Sequence, residues 1–250
     1  MVRKLNNGIF TKQFKMKYWC VFALFFFSFS SFAQFAVIND KDGYVNIRSD
    51  SSKTSKIVGK IASGTVFYIF QYYENEKSEW IDFSCLEGSC KISGFVHKSR
   101  IKLLNQFSDI PLIHFSNNNF IFQKDSIKVT IKQSKFVPEE NKIEIVEENQ
   151  SEILKINGDP VYGTDHSFIP KLEYKSVEIE IEKRKISIPK KGLKNLFGLN
   201  SLQVYIQISY DKEKDILYID SSNGDGAYSY DLLWIIEKGK YKNRFIDYGF

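Results

Sequence analysis

Between residues 43 and 101 the apolar positions fall in short alternating runs cut by small and polar clusters. The runs are Gly43-Tyr44-Val45-Asn46-Ile47-Arg48-Ser49, Ser55-Lys56-Ile57-Val58-Gly59, Gly64-Thr65-Val66, Glu79-Trp80-Ile81 and Gly94-Phe95-Val96-His97. Such strands, with Gly, Ser and Asp between them, predict a small closed β-barrel. Beyond residue 121 a two-residue period returns, at Ile127/Val129/Ile131, Ile143/Ile145, Val177/Ile179/Ile181, Ile186/Ile188 and Val204/Ile206/Ile208. This period puts apolar side chains on one face and Lys, Glu or Ser on the other, which predicts half-buried antiparallel strands. Lys183-Arg184 is the expected turn between two of them. Three strands are expected to finish the chain, at 216–220, 227–236 and 241–246, with Asn223-Gly224-Asp225-Gly226 and Lys238-Gly239 as their turns. The helical signal is Pro189 to Phe197, with Leu193 and Leu196 on one side and Gly198 as the stop. Residues 105–120 are polar and turn-rich and read as a linker. The expected fold is therefore mainly β. A small N-terminal barrel over 34–104 precedes a larger antiparallel β domain with one short helix over 121–250.

The order of the N-terminal pieces also resembles the bacterial SH3-like (SH3b) domain. That family's pattern is an N-[VI]-R-S strand, a G-x-[LI]-x-x-G turn, a W-x-x-[VF] strand and a closing G-[WF]-V. Here it is met by Asn46-Ile47-Arg48-Ser49, the turn around Gly59 and Gly64, Trp80-Ile81 and Gly94-Phe95-Val96. The resemblance covers about a quarter of the chain. It implies a binding module of the cell envelope with a groove lined by aromatic side chains, drawn from Tyr44, Tyr68, Tyr72, Tyr73, Trp80, Phe83 and Phe95. Trp80 aligns with the family tryptophan and Phe95 stands where the family often has one; each reads as core or as contact. Tyr72 and Tyr73 are adjacent, so on a strand they face opposite ways and one of them meets solvent or the groove. Tyr44, Tyr72, Tyr73, Trp80 and Phe95 are the candidate ligand-binding residues. The implied ligand is a short peptide, often a peptidoglycan stem or cross-bridge, or a protein partner. The C-terminal part, with Gly163-Thr164-Asp165, Pro189-Lys190, Asp225-Gly226-Ala227-Tyr228 and the run Trp234 to Tyr241, looks like a recurrent companion of secreted SH3-like modules, with no assigned activity.

The first 33 residues change the composition argument. Residues 18–32 are an apolar run behind Arg3, Lys4, Lys12, Lys15 and Lys17, and they end at Ser31-Phe32-Ala33. This predicts a signal peptide over 1–33 cleaved before Gln34, with Met16 as an alternative start. The run falls short of the roughly 20 residues that span a bilayer, so no membrane span is expected after cleavage. Export to the periplasm or the extracellular space follows. Removing the leader takes away five positive charges and no acids, which leaves 30 basic against 30 acidic residues. A nucleic-acid partner needs a surviving basic face, and the composition holds none. Lys183-Arg184-Lys185 and Lys190-Lys191 read as solvated surface.

After cleavage Cys85 and Cys90 remain, bracketing four residues that include Gly88. A closely spaced pair in an oxidising compartment predicts a disulfide. So short a loop contributes about 2 kcal/mol. The C-x4-C spacing suits neither a redox pair nor a zinc site without further ligands. Catalytic signatures are absent from the sequence: it has no G-x-S-x-G, H-E-x-x-H, phosphate loop or dinucleotide fingerprint. Both cysteines are committed to one another, and the histidines are His97, His114 and His166, so neither a thiol peptidase nor a zinc amidase is expected. No metal or cofactor is expected. Asp220, Asn223 and Asp225 are an oxygen-rich group that could hold calcium, but Ser221 and Leu232 fill the first and twelfth EF-hand positions, and a plain hairpin turn is the simpler reading. Gly163-Thr164-Asp165-His166-Ser167 reads as a polar, partner-contacting loop.

Three functions are consistent with these features. The leading one is an exported, non-catalytic envelope protein whose SH3-like module binds a wall peptide or a protein partner. The alternatives are a secreted inhibitor or immunity-type protein that blocks a wall hydrolase with the 163–168 loop, and a cryptic hydrolase in the C-terminal domain.

Overall fold

The computed structural model describes residues 34–69, 78–84, 92–148, 151–164, 168–199 and 206–248. The chain is mainly β. Its first strands are β1 (Gln34–Ile38), β2 (Tyr44–Arg48), β3 (Ile57–Ala62), β4 (Val66–Ile69), β5 (Trp80–Ser84), β6 (Ser93–His97) and β7 (Ile101–Leu103). Next come β8 (Ser108–Asp109), β9 (Leu112–Ser116), β10 (Asn119–Lys124), β11 (Ile127–Lys135), β12 (Ile143–Glu148), β13 (Ser151–Ile156) and β14 (Asp159–Pro160). The chain continues through β15 (Leu172–Ile181), β16 (Arg184–Ser187), helix α1 (Lys190–Leu193), β17 (Ile206–Asp211), β18 (Ile216–Asn223), β19 (Tyr230–Glu237) and β20 (Lys240–Asp247).

The seven N-terminal strands make two antiparallel sheets, β3-β2-β6-β5 and β4-β1-β7, and among the described residues they do not close into the expected barrel. No hydrogen-bonded pairing joins an edge of one sheet to an edge of the other among the described residues, so the two face each other across a shared core. Ala36, Ile38, Phe67 and Ile69 point into that core with Val45, Ile47, Ile81, Phe83 and Val96. Phe35, Val37, Val66 and Tyr68 point the other way, onto Ile216, Tyr218, Leu233, Ile235 and Phe245. The sheet of β1 and β4 is therefore an inner layer, covered on both faces.

The second face of that layer rests on the sheet β20-β19-β18-β17-β8, whose far side packs against β16-β15-β11-β10-β9. Four sheets are thus stacked with three apolar cores between them. Core residues of the last interface include Phe120, Val129, Ile131, Val177, Ile179, Leu217, Ile219, Leu232, Trp234 and Ile236. The period-two reading of β11 and β15 holds in register, with Val129 opposite Ile179 and Ile131 opposite Val177. A smaller sheet, β12-β13-β14, joins through Phe136, Ile156 and Phe197.

Four expectations differ from the fold. Residues 105–120, read as a linker, carry β8, β9 and the start of β10, and Ile110 is buried in the core between the two large sheets. The hairpin between β15 and β16 turns one residue early, with Ile181 opposite Arg184 and Glu182 at φ 57°. Helix α1 stops after four residues, because Gly192 is a weak helix former and Lys194 is extended. Residues 226–228 form a 3-10 turn, so β19 starts at Tyr230 rather than at Ala227. Val204 lies outside the described residues. Among the described residues no helix is long and apolar enough to cross a membrane.

Candidate functional site

Alternation along β2 sorts its side chains. Val45 and Ile47 are buried, and Tyr44, Asn46 and Arg48 face outward. Beside them stand Trp80 at the start of β5 and His97 at the end of β6, which are paired across the sheet. The turn before β2 adds Asp40 and Asp42, the turn after β6 adds Ser99 and Arg100, and Lys53 comes from the loop after β2. Together they line a groove of about 350 Å³, within the range of small-ligand clefts.

The groove is both aromatic and charged. The Trp80 and His97 rings meet edge to face at 5.1 Å. The backbone N–H of Ser99 donates to His97 Nδ1 at 3.3 Å, which puts the neutral ring's proton on Nε2, 3.8 Å from Glu79 Oε2. Lys60 Nζ sits 4.4 Å from the centroid of the Tyr44 ring. Arg100 Nη1 donates to Asp40 Oδ2 at 2.6 Å. The Asp42 N–H, and after it the Arg100 guanidinium, hold the Asp40 carboxyl below its ordinary range. Arg48 is pinned differently: its Nη1 donates to the backbone oxygen of Ser55 at 2.7 Å.

Of the sequence candidates, the fold brings Tyr44 and Trp80 together in this groove. Phe95 is paired with Arg48 on the same sheet but does not line the groove. Tyr68 and Phe83 are core residues: Phe83 points into the N-terminal core, and Tyr68 points from β4 onto the sheet of β18 and β19. Tyr72, Tyr73, Cys85, Cys90, Asp165 and His166 lie outside the described residues. Asn46, Arg48, Lys53, His97 and Arg100 also line the groove and are not among the sequence candidates for ligand binding. The signal for Asn46 and Arg48 was present, since a period of two from Tyr44 puts both on its face.

Two further arrangements border the C-terminal sheets. Asp220, Asp231 and Asp247 share one side of the central sheet, where the Tyr68 hydroxyl of β4 and the Ser222 hydroxyl both donate to the Asp231 carboxylate. Burial, with the Asp231 charge next, pushes the carboxyl of Asp220 up to about 8 and that of Asp247 up to about 6. Among the described residues no three His, Cys, Asp or Glu side chains are grouped to hold a metal ion. The oxygen-rich group Asp220, Asn223 and Asp225 does not converge either. Asn223 is buried and accepts from Tyr174, on the sheet face opposite Asp220.

At one end of the large sandwich three loops meet at Gly163, Gly198 and Gly224. The Gly224 N–H donates to Gly198 O at 2.7 Å, and the Phe197 N–H to Tyr162 O at 2.9 Å. A Cβ on Gly163 would lie 2.2 Å from Phe197 O, and one on Gly198 would lie 2.3 Å from Gly163 O. From this junction Thr164 Oγ1 reaches Phe168 O at 2.9 Å, and the Phe168 side chain is 69% exposed.

No family model matches the chain, and neither a curated protein nor a solved structure matches it.

Proposed function

We propose that this chain is an exported, non-catalytic binding protein of the bacterial cell envelope, whose SH3-like module takes a wall peptide or a protein partner in the groove over Tyr44 and Trp80. One observation carries the reading: a single strand face, Tyr44-Asn46-Arg48, joins Trp80 and His97 in a cleft that mixes two aromatic rings with fixed charges. That is the composition of a recognition site, with apolar surface for affinity and a few polar groups for orientation. The leader over 1–33 and the Cys85–Cys90 disulfide belong to the same reading of an exported module. The test is co-sedimentation of the purified chain with purified peptidoglycan, alongside pull-down from envelope extracts. The Tyr44→Ala/Trp80→Ala pair is expected to cut capture about tenfold or more, as aromatic anchors do. A folded chain captured by neither would end the proposal.

A second reading, an inhibitor or immunity-type protein directed at a wall hydrolase, is supported by the glycine junction, which gives a loop with exposed Phe168 and Ile169 a rigid base. It predicts that Phe168→Ala with Ile169→Ala relieves inhibition in a mixing assay with the hydrolase. Unchanged hydrolase activity in the presence of the unmodified chain would exclude it.

A further inference from the structure

We infer that the groove over Tyr44 and Trp80 recognises a free carboxylate, the C-terminal end of a short peptide, through the guanidinium of Arg48. This deepens the proposal above and rests on its choice of groove. Arg100 is paired with Asp40 and Arg184 with Asp215, at 2.6 and 2.7 Å, and Arg244, outside the groove, spends its Nη1 on two carbonyls, Gly192 O and Lys194 O. Arg48 has no carboxylate among the described residues: its bond goes to a neutral carbonyl, Ser55 O. That bond holds one edge of the guanidinium in place and leaves its remaining N–H groups available, so little side-chain entropy is left to lose on binding.

The rest of the groove points to the same ligand charge. With Arg100 and Asp40 satisfying one another, the other charged lining groups are Arg48, Lys53 and Asp42, an excess of one positive charge. Lys53 makes no hydrogen bond or ion pair among the described residues and is exposed. A planar guanidinium with N–H groups free matches a carboxylate's two oxygens, a geometry a single amide oxygen cannot reproduce. The Tyr44 and Trp80 rings line the same groove as this cation, and they suit the side chain and backbone of the peptide's last residues. A peptide end supplies the carboxylate and the apolar part together.

The probe is N-acetyl-trialanine as the free acid and as the C-terminal amide, titrated into the purified chain by calorimetry up to about 10 mM, the weak end of measurable affinity. The acid is expected to bind about tenfold tighter than the amide, the usual worth of a charge-assisted hydrogen bond. In Arg48→Gln, where the amide can still reach Ser55 O, the acid's advantage should shrink to about twofold, and Lys53→Gln, which no fold contact constrains, should reduce it about threefold. Equal binding of acid and amide overturns the inference, as does no binding of either, or an acid preference that survives Arg48→Gln in a folded chain. Capture on peptidoglycan is scored separately. If the chain sediments with the polymer yet ignores the acid–amide difference, the carboxylate is wrong and the wall-binding proposal stands. If it prefers the acid but leaves the polymer in solution, the wall is the wrong source of the peptide.

Discussion

At the scale of single residues, Asp220 and Asp247, two carboxyls near Tyr68, make a contribution to stability that depends on pH. Unfolded, Asp220 and Asp247 release their protons near the ordinary 3.8; folded, they hold them to about 8 and about 6. A native state that binds more protons than the unfolded one loses stability as pH rises. The stability linked to these groups is therefore fully present below the ordinary 3.8 and lost as pH climbs through about 6 and then about 8. Chemical unfolding at pH 5 and pH 8 is expected to differ by about 2 kcal/mol in favour of pH 5, less than the full shifts imply because both carboxyls keep partial solvent contact. Asp220→Asn should flatten that dependence. A slope unchanged in the variant would show that Asp220 does not carry it. Tyr68→Phe takes a donor from the Asp231 carboxylate and is expected to cost about 1–3 kcal/mol in the same measurement.

At the scale of elements, the glycine junction is the place where backbone shape decides whether three loops can meet. Gly198 has φ +63°, and a methyl group there would collide with Gly163 O at 2.3 Å. Gly198→Ala is expected to destabilise by about 3 kcal/mol or more, since backbone and not a side chain stands in the way. Gly43 is the control. It has a similar φ of +79° with nothing within 4 Å, so Gly43→Ala should cost only about 1 kcal/mol. Equal costs in thermal unfolding would refute the steric account. The same scale explains which elements could be read in advance. β11 and β15 are covered on one face, so Ile127, Val129 and Ile131 alternate cleanly with Lys and Thr. β1 and β4 are covered on both, so Phe35-Ala36-Val37-Ile38 and Val66-Phe67-Tyr68-Ile69 carry no period at all. Residues 105–120 misled for the opposite reason: their strands are short and polar, and they are held by neighbours distant in sequence, as where Ser108 and Asp109 pair with Tyr210 and Ser209.

At the scale of the whole molecule, the layer between the N-terminal strands and the central sheet makes the two halves mechanically one. Phe35, Val37, Val66 and Tyr68 from one side and Tyr218, Leu233, Ile235 and Phe245 from the other form a single buried cluster. Leu233 is fully buried there, and Leu233→Ala is expected to lower stability by about 2–5 kcal/mol. Calorimetry should record one shifted transition for both halves, because the lost contact belongs to both. Two transitions, with only the C-terminal one shifted, would show that the halves fold independently. The same buried cluster holds the groove over Tyr44 and Trp80 in constant relation to the junction of Gly163, Gly198 and Gly224.

Local pattern by itself determined that this chain is mainly β, where most strands of the large sandwich run, and that Tyr44, Asn46 and Arg48 share a face of β2. Those properties depend on a two-residue period and on turn chemistry within a few positions. Only the tertiary structure decided that β1 and β4 are inner layers, that Arg48 lacks a carboxylate among the described residues while Arg100 has one, and that Tyr68 meets Asp231 across 163 residues of chain. Such facts depend on which surfaces come together after folding, and the spacing of apolar positions says that a face must be covered without saying by what.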